Sequence, residues 1–380
     1  MNRKILYIGG FILPDGNAAA QRVTANAKLF TALGYEVKLV GLSNNDYNKL
    51  FEYEGLKCIN LKYPNSTIHW FKYILSINAY MDIIDEFKPN IVIAYNHPAV
   101  ALKRLYCYGK KHGIKVLSDC TEWYKGKGSF IHKIIKDWDI SYRMNKVQCQ
   151  IDGIIVISKY LEDFYKKKNV ANILRLPPLT DMSNPKWEKA KREMEKYDEI
   201  RLIYAGNPGK KDRLDYIIES LSSIVQKHHI NLNFTIVGKN KDEVISIYNY
   251  KKEIPKFVHF LGRLPHEEVL YHLANSDFQI FIRENNRITT AGFPTKFVEA
   301  ISSGILVLTN PTSDINTFLR AGVNGFLIDT TSEETIHNSL FKILSLKRDE
   351  VDALKAKLDR TQFDYHKFID KTEAFFNSLN

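Results

Sequence analysis

The chain has 380 residues, 44% of them hydrophobic and 26% charged, with a formal net charge of +11 at pH 7. That length exceeds one typical domain and suits two of about 150 to 200 residues, each able to bury a core, and the composition excludes an intrinsically disordered or fibrous chain. The basic excess favours partners that carry phosphates or anionic headgroups, while Cys58, Cys107, Cys120 and Cys149, all in the first half without close pairing, point to neither a disulfide framework nor a zinc site.

From the N-terminus, Met1-Asn2-Arg3-Lys4 leads into a short apolar run that stops at Gly9-Gly10. This run is too short for a signal peptide, and no later stretch reads as a spanning helix, so the expected location is the cytoplasm. Strands are predicted at 4–8, 36–40, 56–61, 90–94, 115–117 and 154–157, mostly apolar, as strands covered on both faces should be. Between them fall helices at 18–33, closed by Gly34, and at 98–112, opened by Pro98 and closed by Gly113. Lysines and arginines from Lys103 to Lys168 alternate with aromatics such as Tyr108, Trp123, Phe130 and Phe164. That mixture suits either the headgroup level of an anionic membrane, at its inner face, or a solvated basic surface.

The stretch 176–185 holds three prolines, which remove backbone donors and fix φ, and is expected to be an interdomain linker. Strands and helices then alternate again: 202–205, 214–227, 234–237, 258–261, 267–274, 278–282, a helix ending at Gly304, 306–309 and 325–328. Alternation of this kind builds a parallel, doubly wound sheet. The predicted architecture is α/β, with two Rossmann-like doubly wound domains facing across a cleft. The expected boundaries are 1–175 for the first domain, 176–185 for the linker and 186–350 for the second. Helices at 351–380 are expected to pack back on the first domain.

Ligands in such sheets sit at the carboxyl ends of strands, so the candidate residues are those that follow strands. Gly9, Gly10 and Gly16 lie between the first strand and an Ala-rich helix, forming either a phosphate loop or an ordinary tight turn. Gly-x-Gly-x-x-Gly is absent, which argues against a nicotinamide dehydrogenase. In the second half, 202–214 reads as strand, Gly/Pro turn and helix, with Lys210, Lys211 and Arg213 placed to hold a diphosphate. At 281–300 a strand runs through a polar loop into a helix on which Thr295, Lys296 and Glu299 cluster. Lys296 and Glu299, three residues apart on one face, can meet phosphate and ribose respectively, or pair with each other on the surface. Glu122 after the strand at 115–117 can orient or deprotonate a hydroxyl, or be a surface glutamate beside Trp123. His97, after the strand at 90–94, is the other candidate for the acceptor side. Asp137-Trp138-Asp139 has the spacing of a metal-binding pair, but residues two apart on a helix do not face one another.

The run Gly292-Phe293-Pro294-Thr295-Lys296-Phe297-Val298-Glu299-Ala300, continuing to Asn310, resembles the donor-site signature of glycosyltransferase family 4, the group 1 glycosyltransferases. The segments 201–221, 260–264 and 321–328 resemble that family's other landmarks in the same order, and the first half resembles it more loosely through Gly9-Gly10, Gly16 and Gly34-Tyr35-Glu36-Val37. The resemblance implies the GT-B fold, retention of anomeric configuration, and neither a metal nor a cofactor beyond the nucleotide-diphosphate sugar as co-substrate. It implies a glycan or lipid-linked acceptor, as in bacterial cell-surface polysaccharide synthesis. By position, Glu299 matches the second glutamate of the family's paired motif, expected at the donor ribose, and Lys211 matches the cation at the leaving diphosphate. Ala291 stands where the first glutamate belongs, leaving Glu284 as a possible stand-in. Asn207 stands where an arginine is usual, leaving Arg283 or Arg287 as substitutes. A nucleotide-sugar epimerase of the same plan and a non-catalytic nucleotide-sugar-binding subunit are the rival readings. No recognised nucleic-acid-binding module is present.

Overall fold

The computed structural model describes residues 3–379 apart from 15, 46, 125, 127–128, 190–197 and 210–211. The chain divides into two compact units: Met1–Asp181 with Thr290–Phe293 and Asp364–Asn380, and Met182–Thr289 with Pro294–Phe363.

The first unit is built on β1 (Arg3–Gly9), β2 (Tyr35–Ser43), β3 (Leu50–Tyr53), β4 (Leu56–Lys62), β5 (Ile91–Tyr95), β6 (Lys115–Cys120), β7 (Gly153–Val156) and β8 (Ile173–Arg175). They form an 8-stranded sheet in the order β3-β4-β2-β1-β5-β6-β7-β8. In β1, Ile5, Leu6, Tyr7 and Ile8 are all fully buried, because alternate side chains enter two different cores. Ile5 and Tyr7 meet Val23 and Phe30 of the helix Ala18–Ala32, while Leu6 and Ile8 meet Tyr80, Ile84 and Leu102 from the helices Asn78–Phe87 and Ala99–His112. The chain's last helix, Ile369–Asn377, adds Phe375 and Phe376 to the first of these cores, with the Phe376 ring edge-on to Phe30 at 5.2 Å. Burying one such phenylalanine is worth roughly 2 to 3 kcal/mol.

All pairings in this sheet are parallel except β3 with β4. The sequence reading has no strand at 50–53. It forms because Glu54 and Gly55, at φ +49° and +79°, close a two-residue hairpin. β8 is three residues long, too short for its periodicity to show.

The second unit contains β9 (Ile200–Ala205), β10 (Leu232–Val237), β11 (Val258–Gly262), β12 (Phe278–Phe281), β13 (Leu306–Thr309) and β14 (Gly325–Leu327), a 6-stranded sheet in the order β11-β10-β9-β12-β13-β14. Every printed pairing in it is parallel. Strand order reverses between β1 and β5 in the first sheet and between β9 and β12 in the second. The crevices at the carboxyl ends of those pairs are where a doubly wound sheet receives ligands. The helix Arg348–Ala356 is tied to the far end of the second sheet: Arg348 grips Asp277 through two nitrogens at 2.8 and 2.7 Å, and Lys355 lies 3.3 Å from the same carboxylate. Burial alone would raise the Asp277 carboxyl, but these cations hold it below the usual aspartate range.

Candidate functional site

At the reversal point of the second sheet, three adjacent strands end in glycine for steric reasons. Gly206 follows β9, Gly238 follows β10 and Gly262 closes β11, with φ of +142°, +115° and +67°. A β-carbon on Gly238 would stand 1.9 Å from the Gly206 carbonyl oxygen, and one on Gly206 would meet the Lys296 Cε at 2.8 Å. Gly206 donates its N–H to Val237 O at 3.1 Å, and Gly238 donates to Gly262 O at 2.6 Å, so the loops are stacked tightly. The sequence feature read as a Gly/Pro turn is therefore a packed edge that brings backbone and charge close together.

Behind this edge lies a buried charged cluster. Asp212, only 1% exposed at its side chain, accepts from the Tyr204 hydroxyl at 3.0 Å and lies 3.3 Å from Lys296 Nζ and 3.4 Å from Arg283 Nε. Lys296 Nζ also donates to the Tyr204 hydroxyl at 2.5 Å, and sits 4.0 Å from the centre of that ring. Burial and the Asp212 carboxylate push the Tyr204 phenol well above its ordinary range, so it stays protonated and able to donate. Among the described residues, Lys296 and Arg283 both lie against the Asp212 carboxylate.

The helix Thr295–Ser303 presents its first turn here. Its cap, Pro294, makes no side-chain hydrogen bond, which leaves the first-turn N–H groups unsatisfied by a capping side chain. Lys296 is in that turn and Glu299 is three residues on, half-buried, with its Oε1 3.3 Å from His266 Nε2. Arg283 is positioned by its backbone: its N–H donates to Asn310 Oδ1 at 2.8 Å, and Asn310 Nδ2 returns a bond to its carbonyl at 2.8 Å. Thus Thr295, Lys296 and Glu299 share one helix end, and Arg283 joins Lys296 through Asp212. Asn207 and Arg287 are exposed, on the loop after β9 and at the start of the helix Arg287–Ala291 respectively. Arg213 takes a left-handed conformation at φ +44°, with its guanidinium 3.6 Å from the centre of the Tyr216 ring. Lys210 and Lys211 lie outside the described residues, as do Asp15, Lys125 and Lys127.

Sequence reasoning missed Asp212, Tyr204, Asn310 and His266. Asp212 reads as one more polar loop residue until the fold places it under Lys296. Glu284 is exposed, and Ala291 is fully buried, its carbonyl accepting from Ser158 Oγ at 2.7 Å. A carboxylate at 291 would be buried, which is costly unless a cation pairs with it.

The first unit's edge is organised differently. A β-carbon on Gly9 would meet Tyr95 Cβ at 2.7 Å, and one on Gly16 would meet Ile12 Cγ2 at 2.6 Å, so both glycines are accounted for by packing. At Gly10 the nearest atom would be the Tyr73 hydroxyl at 3.6 Å, an ordinary contact. Asn17 caps the following helix by accepting from Ala20 N at 2.9 Å. Glu122 is exposed past the end of β6. His97 is fully buried between the rings of Tyr73 and Tyr80, at 5.5 and 5.7 Å, and neither ring nitrogen has a hydrogen-bond partner. Burial, with Arg143 nearby, lowers its pKa to about 3, so it stays neutral near pH 7. The expected surface position at an acceptor site is not where the ring lies, because the helices at 67–75 and 78–87 bring Tyr73 and Tyr80 over it. Beneath this edge Arg22 and Asp119 form a buried pair, with bonds of 2.8 and 2.9 Å, and Tyr7 donates to the same carboxylate. Asp137 and Asp139 each accept from a backbone N–H, of Gly126 at 2.6 Å and Ala99 at 2.8 Å, and are structural. Among the described residues no group of His, Cys, Asp and Glu is arranged to hold a metal ion.

Two doubly wound sheets, the second with a charged, glycine-lined edge at its reversal point, fit the GT-B fold of transferases. Residues 185–359 match the family model described as glycosyl transferases group 1. An uncharacterized glycosyltransferase of Methanocaldococcus jannaschii is 24% identical over 301 residues, covering 74% of this chain and 70% of the relative. Among solved structures, sucrose-phosphate synthase from Thermosynechococcus elongatus superposes with a TM-score of 0.70 at 12% identity, over 100% of this chain and 99% of the other. Anabaena HepE in complex with UDP and glucose gives 0.68 at 12% identity, over 99% and 100%. At such identities the structural likeness establishes the fold alone, which is that of the GT-B glycosyltransferases.

Proposed function

We propose that the protein is a retaining, metal-independent glycosyltransferase that moves a sugar from a nucleotide-diphosphate sugar to a glycan or lipid-linked acceptor, in bacterial cell-surface polysaccharide synthesis at the inner face of the cell membrane. The observation that supports this most is the helix end at Thr295–Glu299, backed by Lys296 and Arg283 gathered at Asp212. The diphosphate lies against the first turn of that helix and the glycine-lined edge, with Lys296 and Arg283 as counter-charges; Lys211 is assigned to the diphosphate by the family resemblance alone. Glu299 accepts from the donor ribose hydroxyls. Catalysis comes from stabilising the charge that grows on the departing diphosphate, the largest single term such a site can supply. The acceptor hydroxyl attacks the face the diphosphate leaves, and the diphosphate oxygen takes the proton. Among the described residues no helix is long and apolar enough to cross a membrane.

The test is a thermal-shift screen against nucleotide diphosphates and their sugars, followed by transfer assays with and without a chelator. A ligand that binds at a hundred times its Kd should add roughly 2.7 kcal/mol of stability. Transfer that needs an acceptor and survives the chelator is the expected result. Interconversion of donor sugars without an acceptor would instead indicate an epimerase, and binding without any turnover a non-catalytic subunit.

A further inference from the structure

At the carboxyl end of β5 the first unit holds a group of buried polar atoms that have no hydrogen-bond partner: Nε and Nη2 of Arg143, both ring nitrogens of His97 and the Tyr80 hydroxyl. Arg143, His97 and Tyr80 are each at most 2% exposed, so bulk solvent does not satisfy them. Folded proteins pair nearly all such groups, and a local cluster of exceptions points to a guest.

The fold aims Arg143 with some care. The helix Phe130–Tyr142 passes directly into a π-helical turn, Arg143–Val147, a form found mostly as single turns at functional sites. Arg143 Nη1 donates to the carbonyl of Asn96 at 3.1 Å, one residue before His97, and the guanidinium lies 5.7 Å from the centre of the Tyr124 ring. Asn96 is itself fixed, donating to Thr121 Oγ1 at 2.6 Å and to the Tyr124 hydroxyl at 3.0 Å. Asp139, one turn earlier than Arg143, accepts from the Ala99 N–H at 2.8 Å. With Nη1 engaged, the side left over is the Nε–Nη2 edge, whose two parallel donors match the two oxygens of a carboxylate or phosphate. The guanidinium keeps its charge at any ordinary pH, and His97, neutral near pH 7, adds one N–H donor.

We propose that this cluster is an oxyanion site of the first unit, in which the Nε–Nη2 edge of Arg143 takes a carboxylate or phosphate group as a bidentate pair and an N–H of His97 donates beside it. Shape selects the guest, because two parallel donors on a permanent cation fit an oxyanion better than the single oxygen of water. The cover is light. Tyr73, edge-on to His97 at 5.5 Å, comes from the helix Thr67–Leu75, none of whose residues is buried, so little apolar contact opposes its opening. The Tyr73 hydroxyl borders Gly10 at the end of β1, which puts the entry at the reversal point of the sheet. The inference goes beyond the transfer reaction and does not depend on it.

Two sources share this chemistry, inorganic phosphate and the acidic group of a saccharide, and the test separates them. The full chain, isotopically labelled in its histidine ring nitrogens, is titrated by NMR in phosphate-free buffer with inorganic phosphate, with glucuronate and with neutral glucose. The His97 and His266 signals are assigned by their loss in His97→Phe and His266→Gln. An oxyanion should shift the His97 nitrogens saturably, and glucose should not. Tighter binding of glucuronate than of phosphate would give the site to acidic saccharides, and the reverse order to a free ion. His266, 3.3 Å from Glu299, reports the proposed donor site separately, so a failure there and a failure here are told apart. Arg143→Lys keeps the charge but loses the fork, and should weaken the effect at least roughly tenfold. If that variant unfolds, the His97 signals of the unaltered chain still decide the question. His97 signals unmoved by either oxyanion, moved equally by glucose, or moved at undiminished affinity in a folded Arg143→Lys chain would overturn the proposal.

Discussion

The carboxyl edges of the two sheets look alike in sequence, each with glycines after the first strand of its unit, yet they are built differently. In the first unit Arg22 and Asp119 pair one to one, and the histidine after β5 is sealed among tyrosines near the buried Arg143. In the second unit Asp212 lies against both Lys296 and Arg283, beside a helix whose cap makes no side-chain hydrogen bond. The difference lies in which charged side chains the fold gathers behind the glycines.

The largest break in this comparison should come from glycine replacement. Gly238→Ala places a β-carbon against the Gly206 carbonyl at a φ of +115° and should cost about 3 kcal/mol in urea unfolding. Gly10→Ala in the first unit, where the new atom meets only the Tyr73 hydroxyl at 3.6 Å, should change stability by less than about 0.5 kcal/mol. Similar losses at both positions would mean that the second edge is not the tighter one.

Acid should expose the sealed histidine. The His97 pKa is lowered from 6.5 in the unfolded chain to about 3 in the folded one, so the unfolded state binds the extra proton. Its contribution is complete above about pH 6.5 and is lost as pH falls toward 3, at up to roughly 1.4 kcal/mol per pH unit. His97→Phe, which suits a pocket of tyrosine rings, should flatten the pH dependence of unfolding over that range. An unchanged slope would show that the ring reaches water. The smallest effect is expected at Glu122: Glu122→Gln should alter nucleotide-diphosphate affinity by less than about twofold, because the proposed donor site lies in the second unit. A tenfold loss in calorimetry would move the donor toward the first edge.

Much of the fold was legible because strands buried on both faces and glycine-closed helices leave strong local signals, as at 4–8 and 98–112. β3 was not, since its hairpin depends on two left-handed residues, Glu54 and Gly55, with no Asn-Gly signature. In the candidate site, Lys296 and Glu299 could be read from their spacing on a helix that Gly304 closes. Asp212 could not, because its meaning comes from Lys296, 84 positions along the chain, and from Tyr204 beneath it. The same holds for His97, where the position after a strand was legible and the covering by Tyr73 and Tyr80 was a matter of tertiary packing.

The most direct test of the central claim is calorimetric titration of a nucleotide diphosphate into the unaltered protein, Lys296→Met and Glu299→Gln, alongside the free nucleoside. Lys296→Met should weaken the diphosphate at least roughly tenfold while leaving the nucleoside nearly unchanged, and Glu299→Gln should weaken both by a similar factor, as a ribose contact requires. Undiminished diphosphate binding by both variants would contradict the assignment of the donor site to this helix end.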